Sequence, residues 1–207
     1  MKPILYYVHD PMCSWCWGFT STLEALIAAL PEDIAFQRLL GGLAADTDEP
    51  MDEETRAMVQ GSWRRIEAVI PGIKFNFEFW EKCQPRRATY PACRAVLAAR
   101  RQGRDEDMNR AIQAAYYQQA RNPSDDSTLL ELATELSLDI EQFRADLHSD
   151  QTRKALEAEM TLAGELLVES YPSLVLKNGE SEWRVPVEYN DYRPMLEVIE
   201  AALTPAK

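Results

Sequence analysis

Two cysteines separated by two residues, Cys13-Ser14-Trp15-Cys16, stand between a strand and a helix, and that placement constrains the fold more than any other feature of the chain. Residues 4–8, Ile-Leu-Tyr-Tyr-Val, are β-branched and aromatic and are bounded by Pro3 and by His9-Asp10-Pro11, which predicts a buried strand. Phe19, Leu23, Leu26, Ile27 and Leu30 then recur with helical spacing on one apolar stripe that ends at Pro31. Residues three apart on a helix share a face, with Cβ atoms roughly 5–6 Å apart, close enough for a small adjustment to form a disulfide. A helix N-terminus carries about half a positive charge and unpaired N–H groups, so it favours a thiolate. A structural disulfide closing so short a loop would restrict the unfolded chain very little. The natural use of the pair is therefore exchange, with the outer Cys13 as nucleophile and Cys16, one turn further in, as the resolving thiol. The competing readings are half of a zinc site or two incidental core cysteines; a CxxC beside a β-α-β pattern favours redox chemistry over both.

The β-α-β pattern is completed by a second strand at residues 34–40, closed by Gly41-Gly42, as in a parallel unit with a right-handed crossover. From Asp46 the text becomes helical. Val59, Trp63, Ile66 and Ile70 mark one stripe, and Cys93, Val96 and Leu97 a second that Pro91 can open. Met108, Ile112, Ala115 and Tyr116 form a third, and Leu129, Leu132, Ala133 and Leu136 a fourth. Asp139 with Gln142 predicts a capped fifth helix, and residues 151–164 a sixth. Strand character returns at residues 173–176 and 182–185 around an Asn178-Gly179 turn, and an amphipathic helix occupies residues 191–203. The expected class is α/β, ordered β-α-β, helical block, β-β-α, with residues 1–45 and 168–207 forming one domain and 46–167 a helical insertion domain.

Other chemistries lack a signal. Thirty-four acids against 22 bases give a net charge of -12, which repels phosphate backbones and anionic lipid, so neither nucleic acid nor a membrane is the expected partner. Two histidines cannot make HExxH, and the glycines form neither GxGxxG nor a P-loop. The N-terminus has no apolar run suited to export, and four cysteines are too few for a disulfide scaffold, so the expected location is the cytoplasm, where thiols tend to be catalytic, metal-binding or buried.

The segment Asp10-Pro11-Met12-Cys13-Ser14-Trp15-Cys16-Trp17-Gly18-Phe19, together with the later CQPRRATYPACRA and ARNPSDDSTL stretches and Tyr171-Pro172 before a hairpin, resembles the DsbA-like thioredoxin-fold family, in its cytoplasmic FrnE-like branch of predicted protein-disulfide isomerases. The resemblance covers nearly the whole chain. It implies a thioredoxin fold with a large helical insertion, and a thiol-disulfide oxidoreductase or isomerase working by dithiol exchange at Cys13 and Cys16. It also implies a cis-proline loop in which Pro172 and Tyr171, with Trp15, shape the edge that binds substrate. No organic prosthetic group is implied; glutathione is a candidate co-substrate, and the substrates are protein or low-molecular-weight thiols and disulfides. This chain has Ser14 where the family's commonest motif has proline, and Tyr7 where many relatives have an acid; Asp10 and His9 are candidate proton carriers or plain turn residues.

Cys83 and Cys93 form a second pair, ten apart. Cys93 shares a stripe with Val96 and Leu97, so a buried inert thiol is the plain reading, against an auxiliary disulfide or a zinc site joining all four thiols. Arg86 and Arg87 are candidates to receive an anion such as a glutathione carboxylate. That feature supports the rival enzyme, a glutathione-dependent isomerase or transferase of the kappa and hydroxychromene-carboxylate type on the same fold; a non-catalytic module binding through its helical block is the third class.

Overall fold

The computed structural model describes residues 2–204; the ends of the expected domain ranges, residue 1 and residues 205–207, lie outside the described residues. The chain opens with β1 (Ile4–His9), α1 (Ser14–Ala29) and β2 (Ala35–Leu40). Seven helices follow among the described residues: α2 (Glu53–Val69), α3 (Phe79–Lys82), α4 (Tyr90–Arg100), α5 (Asp105–Tyr117), α6 (Asp126–Glu135), α7 (Ile140–Leu147) and α8 (Asp150–Glu165). It closes with β3 (Ser173–Asn178), β4 (Ser181–Val185) and α9 (Arg193–Leu203).

Successive side chains of β1 point to opposite faces of the sheet, and both faces are buried. Leu5 and Tyr7 face one side, where α1 and α9 bring Phe19, Leu23, Leu26, Met195 and Ile199. Tyr6 and Val8 face the other, where the end of α8 brings Ala163 and Leu166. Being covered on both faces, β1 reads as a continuous apolar run. It pairs in parallel with β2, Tyr7 opposite Arg38, and antiparallel with β3, Tyr7 opposite Leu174, giving the order β2-β1-β3-β4. This is the thioredoxin arrangement with the helices α2 to α8 inserted between β2 and β3.

The helical region has its own core around Trp63, which is fully buried. Its ring lies 4.9 Å from that of Phe75, 5.0 Å from Trp80 and 5.5–5.6 Å from Tyr116 and Tyr117. Aromatic pairs of this kind contribute about 0.5–1.5 kcal/mol each beyond area burial. Trp17 of α1 stacks on Tyr117 at 5.7 Å, so the helix carrying the two thiols is anchored to both cores at once.

Two local expectations are revised. The short α3 falls outside the six expected helical stripes: Phe79 and Trp80 are buried in the Trp63 cluster, and one turn is too short to show a period. In the hairpin, Asn178 pairs with Ser181, so the two loop residues are Gly179 and Glu180 rather than Asn178 and Gly179. Gly179 has φ +60°, the first central position of a type II′ turn, which a residue with a Cβ rarely adopts. The predicted cap of α7 is present: the Asp139 carboxylate accepts the Gln142 N–H at 3.0 Å.

Candidate active site

The site begins with the way α1 starts. Cys13 is the N-cap residue, in extended backbone conformation, and its sulfur accepts the N–H of Cys16 at 3.4 Å, the job usually done by Ser, Thr, Asp or Asn. Charge developing on this sulfur therefore meets an N–H and the positive end of a helix. Cys16 is completely buried. Burial, reinforced by the neighbouring Cys13, pushes its thiol well above the ordinary range. The two thiols are thus unequal: Cys13 opens onto a groove and Cys16 lies behind it, protonated at neutral pH.

The second part of the site comes from the far end of the chain. The Cys13 thiol points at the carbonyl oxygen of Tyr171, 3.5 Å away, across 158 positions in sequence. The Tyr171–Pro172 peptide is cis, and Pro172 is buried. Tyr171 is held from the opposite side, where its hydroxyl donates to the Gly41 carbonyl at 2.8 Å. Its ring lies on Gly41 itself: a Cβ there would sit far inside van der Waals contact with Cε1 and Cζ and 2.5 Å from the phenol oxygen. Gly41, read from sequence only as the end of a strand, is required for this close approach.

Asp10 ties the site together. Fully buried, it accepts the N–H groups of Met12 at 2.8 Å and Leu43 at 2.7 Å, the Thr89 hydroxyl at 2.6 Å and the Cys93 thiol at 3.5 Å. Its own carbonyl accepts the Cys13 N–H at 3.0 Å. One carboxylate thus joins the β1–α1 loop, the loop after β2 and the start of α4. Burial raises its pKa while these hydrogen bonds pull it down. Cys93 is accordingly a buried thiol occupied with Asp10, and Cys83 donates to the Ala120 carbonyl at 3.1 Å; all four cysteines are free. Among the described residues no group of three or more His, Cys, Asp or Glu side chains could hold a metal ion.

His9, the other candidate proton carrier, and its neighbour Tyr7 are both enclosed. His9 is buried against Tyr7, with ring centroids 4.8 Å apart and planes within 5°, and its Nδ1 has no partner among the described residues. Burial, then the charges of Arg38 and Arg100, push its pKa down to about 3. Tyr7 is buried beside the thiols, and burial, then Cys16 and Cys13, hold its hydroxyl well above the ordinary range.

Beside Cys13 lies a groove of about 320 Å³ lined by Cys13, Ser14, Trp15 and Tyr171 from the thioredoxin core and by Met51, Met58, Val59, Thr89 and Tyr116 from the region between β2 and β3. Trp15 forms part of the wall, braced by Tyr189 at 5.1 Å and by the Arg65 guanidinium 5.8 Å above its ring. Arg86 and Arg87 also reach the groove, but in different states. Arg86 donates to the Ser124 carbonyl and pairs with Asp125 at 2.8 Å, whereas Arg87 makes no such contact among the described residues. A larger cavity, about 520 Å³, is lined by Asp46, Arg94 and Asp125 and has no thiol in its walls. The structure brings Cys13, Trp15, Tyr171 and Arg87 to one groove, with Cys16 behind it. Gly41, Thr89 and the two methionines were not singled out from sequence. The Gly41-Gly42 pair left a trace there as a strand end, and Thr89 only as part of the CQPRRATYPACRA stretch.

A thioredoxin family model matches residues 6–198. The ClpXP adapter protein SpxH of Bacillus subtilis (strain 168) is 32% identical over 197 residues, covering 91% of this chain and 64% of its own length. The chain spans 60–64% of the length of the first SpxH relatives it matches. Among solved structures, one from Nitrosomonas europaea, provisionally assigned as a protein disulfide isomerase, superposes with a TM-score of 0.83 at 25% identity, covering 98% of each chain. The cytosolic disulfide reductase DsbM from Pseudomonas aeruginosa, also solved with GSH, gives 0.76 at 23% identity, covering 97% of this chain and 98% of its own. No described helix is long and apolar enough to cross a membrane.

Proposed function

Because the chain belongs to the thioredoxin family, we propose that it is a thiol-disulfide oxidoreductase or isomerase acting through Cys13 and Cys16 in the cytoplasm. The observation that carries the reading is the juxtaposition at Cys13: the Cys16 N–H on one side of its sulfur and the Tyr171 carbonyl on the other. An extended disulfide-bearing segment lying along residue 171 would bring its sulfur to Cys13. The Cys13 thiolate attacks that sulfur, forms a mixed disulfide and releases the partner thiolate. Cys16, on losing its proton, then attacks the Cys13 sulfur, closes the Cys13–Cys16 disulfide and releases the second substrate thiolate. Two electrons pass from the dithiol to the substrate; the reverse sequence oxidises a substrate dithiol. In isomerisation, a substrate thiol rather than Cys16 resolves the mixed disulfide, and no net electrons move.

Glutathione fits as co-substrate in this reading, since the structural neighbour DsbM has been solved with GSH. Replacing Cys16 by Ser is expected to accumulate mixed disulfides at Cys13, seen as reducible adducts in an extract or as +305 Da, roughly the mass of one glutathionyl group, after incubation with glutathione disulfide. Replacing Cys13 should abolish them. A Cys16→Ser protein that forms no adduct yet catalyses a glutathione-dependent isomerisation would put the kappa-type reading in its place.

The SpxH relatives support a second reading, a protein-binding adapter. Leu43 and Met58 stand exposed on the rim of the groove and would serve a bound protein segment whether or not exchange follows. A protein lacking both thiols that still retains partners would favour this use.

A further inference from the structure

Resting on the exchange reading above, we propose that Arg87 is the specificity-determining residue of the groove and selects disulfides that carry a carboxylate near the sulfur.

Arg87 lies between α3 and α4, half-buried, in the groove that holds Cys13 and Trp15. It donates no hydrogen bond and forms no ion pair among the described residues, although the chain has 34 acids for 22 bases. The arginines around it in the fold are used internally, and Arg65 and Arg144, which also make no hydrogen bond or ion pair among the described residues, do not line the groove. Arg86 is tied to Ser124 and Asp125, Arg94 grips Asp46 with two hydrogen bonds of 2.7 and 2.9 Å, and Arg100 is shared between Asp105 and Glu159. Arg87 is thus the one charge of the α3–α4 connection that the fold leaves to the groove. Its field reaches the Tyr116 hydroxyl on the groove wall, where it offsets part of the effect of burial.

The rest of the groove tells what kind of ligand this charge suits. Met12, Met51 and Met58 supply a polarizable apolar surface that adapts to side chains of different shape and carries no anion for Arg87 to pair with. Glu169 lines the groove from the segment leading to Tyr171 and is exposed, so the walls present opposite charges. A guanidinium offers a planar fork that takes a carboxylate with two parallel charge-assisted hydrogen bonds, in a partly desolvated position that strengthens them. A neutral or cationic thiol partner gains nothing from it. The carboxylate can come from a small acidic thiol of the glutathione type or from an Asp or Glu beside a cysteine in a protein segment; the chemistry read at Arg87 is the same.

The test is a single turnover with prereduced protein, so that the Cys13/Cys16 dithiol itself supplies the two electrons and no further reductant is needed. The probes are 3,3′-dithiodipropionate, which is anionic, 2-hydroxyethyl disulfide, which is neutral, and cystamine, which is cationic. Arg87→Gln is expected to lower the anionic-to-neutral rate ratio roughly 10-fold and to raise the cationic-to-neutral ratio. Arg87→Lys should recover part of the anionic preference, and high salt should compress the wild-type ratios toward those of the Gln variant. Glutathione disulfide and a disulfide-linked Asp-Cys peptide then separate the two sources, by which of them loses rate relative to the neutral probe. Unchanged ratios in Arg87→Gln, including a uniform slowing of all probes, would overturn the proposal while leaving the exchange reading intact. Wild-type protein that reduces none of the probes would bring down both.

Discussion

The contact between Gly41 and Tyr171 invites a direct perturbation, Gly41→Ala. A methyl group at residue 41 lands on the Tyr171 ring, which is also fixed by its hydroxyl on the Gly41 carbonyl and by the buried Pro172 that follows. The ring must move. Overpacking of this kind costs typically ~1–3 kcal/mol, and loss of the hydroxyl-to-carbonyl hydrogen bond adds ~1 kcal/mol, so the variant should lose roughly 2–4 kcal/mol of stability. Tyr171→Phe, which keeps the ring and removes only the hydrogen bond, should lose ~1 kcal/mol. Because the Tyr171 carbonyl stands 3.5 Å from the Cys13 sulfur, Gly41→Ala should also slow the attack of Cys13 on a model disulfide more than Tyr171→Phe does. Urea unfolding midpoints and single-turnover rates measure both effects. The sharper reading comes from a double-mutant cycle with Tyr171→Ala: once the ring is gone, the Cβ at 41 has nothing to strike, so the double variant should be at least ~1 kcal/mol more stable than the sum of the singles predicts. Additivity within ~0.5 kcal/mol, with rates unaffected by Gly41→Ala, would refute the idea that Gly41 exists to seat Tyr171 over Cys13.

Further outcomes follow from the same geometry. Because Cys16 is fully buried with its thiol pushed up by burial, iodoacetamide at pH 7 should modify Cys13 well before Cys16 in the native protein, with mass spectrometry reading the order; modification of Cys16 first would contradict the assignment of nucleophile and resolving thiol. His9 has a folded pKa of about 3 against an ordinary 6.5, so its contribution to stability is complete above pH 6.5 and is lost as the pH falls toward 3. Between pH 7 and pH 5 that loss is roughly 2 kcal/mol, and His9→Phe, which keeps the stack on Tyr7, should show a urea midpoint that falls less over this interval. Cys93→Ala should cost ~1–2 kcal/mol through the lost thiol contact with Asp10 and a small void, with model-disulfide rates near wild type; a large loss of rate would make Cys93 part of the chemistry.

The local features of this protein were legible in its sequence because they repeat at the scale of a turn or a pleat. The run of β-branched and aromatic residues at 4–8 gave a strand, helical periodicity gave α1, α2, α4 to α6 and α8, the Asp139–Gln142 cap gave α7, and the position of Cys13 at a helix start marked it as the candidate nucleophile before any contact was known. What surrounds that sulfur was not legible by the same means. The Gly41 carbonyl meets Tyr171 across 130 positions, Asp10 meets Thr89 across 79 and Cys93 across 83, and none of these pairs belongs to a periodic pattern. The four-residue α3 and the Gly179-Glu180 turn escaped for a related reason, being too short for a period and decided by burial in the Trp63 cluster and by the register of β3 against β4. Sequence pattern reports which face of an element is buried, whereas the identity of the partner on that face is set by how distant elements cross. That crossing leaves Arg86 bound to Asp125 and Arg87 facing the groove, a distinction between adjacent identical residues that only the tertiary structure could make.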